Sequence, residues 1–307
     1  MTSVLYDVPG PRAILRNRIL GITTVVAIVA ILAFVIYRFA VTGQFSAAKW
    51  NVFTFSAVWE SIFKALGNTL LAFGLAAVLS ITLGFALAIG RLSEHKWVSV
   101  PVTVITEFFR AVPVLVFMML LYYGLPSIGI SMEPYWAVVI ALTAYNGSVL
   151  AEVLRAGIES LPRGQKEAGY AIGLRKSGVM SLILLPQAIR AMLPVIVAQL
   201  VVTMKDTALG FIITYPELLY YAKLLSSQQG RPILQSAMVI GGIYIVMCLI
   251  LSGIAKLIEV RTRRTDTTKA DTAVAPVQTG LHHPVPEVTD TQLISLQNLD
   301  LDDDDKR

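Results

Sequence analysis

Six stretches of this 307-residue chain are apolar over about 20 residues or more, the length a helix needs to cross a bilayer. They run roughly over 19–41, 69–90, 98–123, 135–154, 191–214 and 233–258. A membrane β-barrel would instead show segments of about 10 residues alternating apolar and polar. These runs do not alternate. An all-α integral membrane protein with six transmembrane helices is predicted. Hydrophobic residues make up 55% of the chain and charged residues 15%, which excludes an ordinary soluble enzyme.

Arg12, Arg16 and Arg18 precede the first run, as in a signal peptide. Its apolar core is longer than a signal peptide's, and no A-x-A-like site follows, so a retained helix is expected. Lysine and arginine set the orientation. With both termini on one side, that side holds Arg91, Lys96, Arg155, Arg163, Lys166, Arg175, Lys176, Arg190 and the cations flanking the first and last runs. The other side holds only Lys49, Lys64, Lys223 and Arg231. Both termini, and the long segment after the fourth run, are therefore expected in the cytoplasm. Cys248 is the single cysteine, and two of three histidines, His282 and His283, lie in a polar tail. No metal site and no catalytic residue is expected. The tail after Val260 is too polar to bury a core, and disorder is predicted there. Its end, Asp302–Lys306, matches an enterokinase-type cleavage sequence and is set aside as a possible tag remnant.

Residues 161–194 carry the most information. Pro162 and Gly164 interrupt the fourth helix. Residues 165–174 then read as a short helix with small residues Ala168, Gly169 and Gly173, which would let another backbone approach. Leu174, Arg175, Lys176 and Ser177 form a charged turn, and Pro186 restarts an ordered segment. Such a helix, lying across the membrane surface with charge at its rim, suits docking into a groove of a soluble partner.

This stretch resembles the signature of the ABC importer permeases, E-A-A-x3-G-x9-I-x-L-P, through Glu167, Ala168, Gly169, Gly173, Ile183, Leu185 and Pro186. Only the second alanine departs, to Gly169. The segment Glu107–Pro113 looks like the E-F-F-R-G-T-P of polar amino acid permeases, with Ala111 and Val112 where glycine and threonine are usual. Tyr122–Pro126, Leu150–Ile158, Lys205–Leu209 and Gly67–Leu70 also fit. The opening Val4–Pro11 is most similar to actinobacterial (corynebacterial) glutamate permeases.

The resemblance implies a type I ABC importer permease bundle. Residues 1–66 would add the N-terminus, one span and an external segment. Residues 67–258 would form the conserved domain, with its coupling loop at about 161–190, and 259–307 the tail. It implies docking on a separate ATPase through Glu167, Ala168, Gly169, Gly173, Leu174 and Arg175. A second permease, identical or different with a heterodimer favoured, and an external solute-binding protein are the other implied partners. No nucleic acid partner is expected. ATP and magnesium would sit on the ATPase, since no G-x-x-x-x-G-K-[ST] loop occurs in this chain.

Ionisable groups inside a span are costly and usually face a cavity or a partner. Glu107, Arg110, Lys205 and Asp206, with the neutral Gln199, Thr203 and Thr207, are thus candidates to line the translocation path. Structural ion pairs, Glu107 with Arg110 or Lys205 with Asp206, are the competing reading. Glu152 and Arg155 read as a pair near the coupling loop. The function expected is the membrane subunit of an ATP-driven importer for glutamate or a related polar amino acid. An ion-coupled secondary amino acid carrier is the alternative, but such a carrier has no use for the 161–194 signature.

Overall fold

The structure, a computed structural model, describes residues 10–228 and 230–270. Among them every regular element is a helix. The elements are α1 (Pro11–Val41), a short α2 (Ala47–Trp50), α3 (Ser56–Arg91), α4 (Lys96–Ala111), α5 (Val114–Met119) and α6 (Pro134–Glu159). Then follow α7 (Arg163–Ala171), the single turn α8 (Lys176–Gly178), α9 (Leu185–Asp206), α10 (Leu218–Ser226) and α11 (Ile233–Ala270). Prolines open α1, α6 and α9, where a missing backbone N–H leaves no hydrogen bond unmade.

Five helices are long and apolar enough to cross a membrane, and the bent α4–α5 pair makes a sixth. The third apolar run is therefore not one straight span. Val112 and Pro113 are extended, and the chain turns by 96° between α4 and the limb Val114–Ile128. Pro113 forbids a continuous helix, because its ring excludes the helical conformation at Val112. The limb itself is wound irregularly, with a π turn over Leu120–Gly124 and a 3-10 turn over Leu125–Ile128.

Helix α6 is the centre of the bundle, with two-thirds of its span buried. It packs most extensively on α3. The two run parallel: Ala72 and Ala76 meet the start of α6, while Ala88 meets Ala151 and Leu154 near its end. Small residues permit this approach. A Cβ on Gly84 would stand 2.8 Å from Leu150 Cβ and 3.1 Å from the Gly147 carbonyl oxygen, both rigid neighbours. Gly84→Val is therefore expected to destabilise the protein by roughly 1–3 kcal/mol, the usual cost of overpacking, and a lowered thermal midpoint in detergent would show it. Helix α9 runs antiparallel to α6, with Gly157 against Met192 at one end and Gln199 against Asn146 further along. No residue of α1 is buried.

Contacts divide the chain into one compact unit ending at Arg261 and a second beginning at Thr262. The tail expected to be disordered after Val260 is helical as far as Ala270. No glycine or proline between Gly253 and Pro276 stops the helix, so it propagates beyond the apolar run. The rest of the tail lies outside the described residues, as does Val4–Pro9 of the N-terminal opening.

Candidate functional site

Helix α7 leaves α6 through Leu161 and Pro162 and presents Glu167, Ala168, Ala171 and Ile172 outward, Ile172 being 76% exposed. The two glycines have different duties from a shared docking face. Gly169 is buried and points back into the body. A Cβ there would lie 2.9 Å from both Val179 and Ile183. Gly173 ends the helix with a φ of 82°, where side chains are strained, and a Cβ there would touch nothing within 4 Å. Leu174 packs on the cluster of Ile158, Val179, Leu184 and Ala188, while Arg175 is exposed at the start of α8. Lys176 ties this loop to the α3–α4 turn, reaching Glu94 at 2.8 Å and the Leu92 carbonyl at 3.4 Å. The Lys176 hydrogen bond holds the Glu94 carboxyl below its ordinary range. A pocket of about 300 Å³ separates α7 from that turn and is lined in part by Arg163, Lys166 and Lys176.

Beside the loop lies a charge network with three arginines and three glutamates, so it is neutral. Arg91, at the end of α3, reaches Glu107 at 3.1 Å and Glu152 at 2.8 Å. Arg110 pairs with Glu107 at 3.1 Å and lies 3.9 Å from Glu152. Arg155 reaches Glu152 at 2.6 Å and Glu159 at 2.5 Å. The amphipathic α4 therefore crosses the ends of α3 and α6. Glu107 and Arg110 stand at that end of the bundle and not midway along a span. The bend at Pro113 is the physical reason.

Of the candidates in and just after α9, three already have partners within the chain. Gln199 donates to Asn146 Oδ1 at 2.7 Å, Thr203 Oγ1 to the Gln199 carbonyl, and Thr207 Oγ1 to the Met204 carbonyl. Lys205 is exposed, and no ion pair joins it to Asp206 or to any other described residue. At the far end of the bundle a polar knot holds the chain after α9. Asn68 donates to the Pro216 carbonyl, Tyr215 Oη to the Asn68 carbonyl, and the Leu218 amide to Thr69 Oγ1. The fully buried Glu217 accepts from the Leu219 and Tyr220 amides and from Tyr244 Oη at 2.6 Å.

Residues 80–264 match the family described as binding-protein-dependent transport system inner membrane component. The chain belongs to this family. The glutamate transport system permease protein GluD of Corynebacterium glutamicum is 40% identical over 240 residues, covering 77% of this chain and 88% of the relative. The arginine transport system permease protein ArtQ of Bacillus subtilis is 30% identical over 212 residues, covering 67% and 94%. A crystal structure of an amino acid ABC transporter with histidines superposes with a TM-score of 0.62 at 29% identity, covering 66% of this chain and 94% of that one.

The protein is thus a multi-pass inner-membrane permease subunit of the ABC importer type. Its family works with an ATPase and a solute-binding protein. Within this permease, three residues that sequence reasoning passed over hold the arrangement together. Arg91 reads in the sequence only as a topology cation, although its side chain is 10% exposed and joins two glutamates. Asn146 is an amide inside an apolar run, and its cost in a membrane was the available signal. Glu217 stands immediately before an apolar segment, the position of a helix cap.

Proposed function

We propose that this permease imports glutamate or a closely related polar amino acid, with a second, non-identical permease as the other wall of the path. The observation that carries the substrate class is the 40% identity to a glutamate permease over most of both chains. The exposed Lys205 in an apolar span supports it. An ammonium there needs a cavity or a partner, and an acidic amino acid brings the opposite charge. Lys205 and Asp206 face the route. Gln199, Thr203 and Thr207 shape it from behind, Gln199 through its bond to Asn146 of α6 and the two threonines through bonds to carbonyls of their own segment. Glu107 and Arg110 belong to the network at the basic end. That end and both termini are cytoplasmic, following the lysine and arginine bias. Helix α7, with Glu167 and Ala168 outward and Leu174 and Arg175 beside it, seats in the ATPase, which binds and hydrolyses magnesium-ATP.

Proteoliposomes holding both permeases and the ATPase, with binding protein outside and ATP inside, test this reading. Labelled glutamate is expected to enter in preference to glutamine and arginine by at least about tenfold. This chain with the ATPase alone is expected to give no uptake. Equal uptake of arginine, or full uptake by the lone permease, overturns the corresponding part. Lys205→Met is expected to raise the half-saturation for uptake by at least about tenfold in the same assay, as loss of one partner of a desolvated charge pair does.

A further inference from the structure

At the end of the bundle away from Arg91, α10 and the first turn of α11 enclose a pocket of about 240 Å³. Its walls are mostly apolar, with Phe211, Leu219 and Ile233 among them, and no carboxylate lines it. Among the described residues, one hydroxyl here has no protein partner, and one ammonium has no carboxylate. Ser236, which lines the pocket, is 1% exposed, and its hydroxyl oxygen has no hydrogen-bond partner. A buried, unmatched hydroxyl is costly in an apolar setting, so it marks a place where a ligand acceptor belongs. Lys223 lies 6.0 Å from the Phe211 ring centroid and forms no ion pair among the described residues. Glu217, the acidic residue that opens α10, is committed to its own helix amides and Tyr244. The N-terminus of the long helix α11 also opens here; its Ile233 and Ser236 amides are taken by the Arg231 and Pro232 carbonyls, but the positive end of the helix dipole still favours an oxyanion.

We infer that this pocket holds an anionic phospholipid. The phosphate sits between Lys223 and the start of α11. An ester carbonyl of the lipid accepts from Ser236 Oγ. The upper acyl chain lies along Phe211, Leu219 and Ile233. The large exposed apolar residues Leu219 and Ile233 line the site, so it opens towards hydrocarbon. A small free oxyanion would satisfy the lysine but leave the apolar walls uncovered. The site is independent of which amino acid the permease carries.

Native mass spectrometry of the intact purified transporter tests it, titrating phosphatidylglycerol against phosphatidylcholine. One phosphatidylglycerol per copy of this chain is expected, held about fivefold more tightly, the factor one interfacial lysine supplies. Lys223→Met should erase the preference, and Ser236→Ala should weaken retention of both lipids. Lys49→Met, a lysine already bonded to Gln44, should change neither. A second measurement labels Ser226→Cys, on the pocket wall with Lys223 left in place, in a Cys248→Ser background in nanodiscs. Phosphatidylglycerol is expected to protect it, whereas inorganic phosphate and glutamate do not. Equal retention of the two lipids, an unchanged preference in Lys223→Met, protection by either small anion, or protection by the binding protein without anionic lipid each overturns the proposal.

Discussion

Gly169→Leu is expected to leave the spans inserted but to cut ATP-dependent uptake by at least about tenfold, from the roughly 1–3 kcal/mol that overpacking costs. The inner face of α7 rests on Val179 and Ile183, which a Cβ at Gly169 would meet at 2.9 Å. A leucine there pushes the helix off its seat and breaks the rigid link to α9. Gly169→Ala should stay near wild type, because only the ends of two side chains need to shift. Gly173 separates the steric requirement from the conformational one. Gly173→Asn should be tolerated far better than Gly173→Val, since asparagine accepts a positive φ and a β-branched residue does not. Uptake and basal ATP hydrolysis, measured on the same reconstituted complex, distinguish these outcomes. Normal uptake by Gly169→Leu would show that α7 does not transmit motion through this contact.

Arg91→Met should lower the yield of folded, assembled transporter more than Arg110→Ala does. Arg91 is the less exposed of the two and bridges carboxylates from two helices at 3.1 and 2.8 Å. Arg110 shares Glu107 with it and stands 3.9 Å from Glu152. Removing Arg91 strands acids that Arg110 and Arg155 only partly compensate. A loss of about 1–3 kcal/mol is expected. Adding Glu152→Gln should restore part of it, with a coupling of about 0.5–3 kcal/mol in the double-mutant cycle. If the two changes are additive, the network does not pin α4 across the bundle end, and the bend at Pro113 holds itself.

The family and most of the bundle were legible because they rest on signals local in sequence. Length and apolarity locate five spans, and fixed spacing from Glu167 to Pro186 marks the loop that carries the family signature. The third run misled because hydropathy reports what a segment is made of and not where it turns. Once the chain bends at Pro113, Glu107 moves from mid-membrane to a neighbour of Arg91, sixteen positions earlier. The roles of Gly169 and Gly173 were hidden for a related reason. Smallness was visible, but whether it serves a neighbour or a backbone angle depends on which way the residue faces. Asn146 and Gln199 are 53 positions apart, and nothing in either local sequence announces the other.

The parallel alignment of α3 and α6 sets an order on biogenesis. Two neighbouring helices that point the same way cannot pair as a simple hairpin while they emerge from the ribosome. The return limb of α5 must first cross the bilayer between them. Until α6 follows, the tight small-residue face around Gly84 has no partner and stays in lipid. Chains arrested before residue 134 should therefore carry an inserted α3 whose Gly84 face is unpaired, open to the quality-control proteases of the membrane. Protection should arrive abruptly once α6 is complete and has descended beside α3.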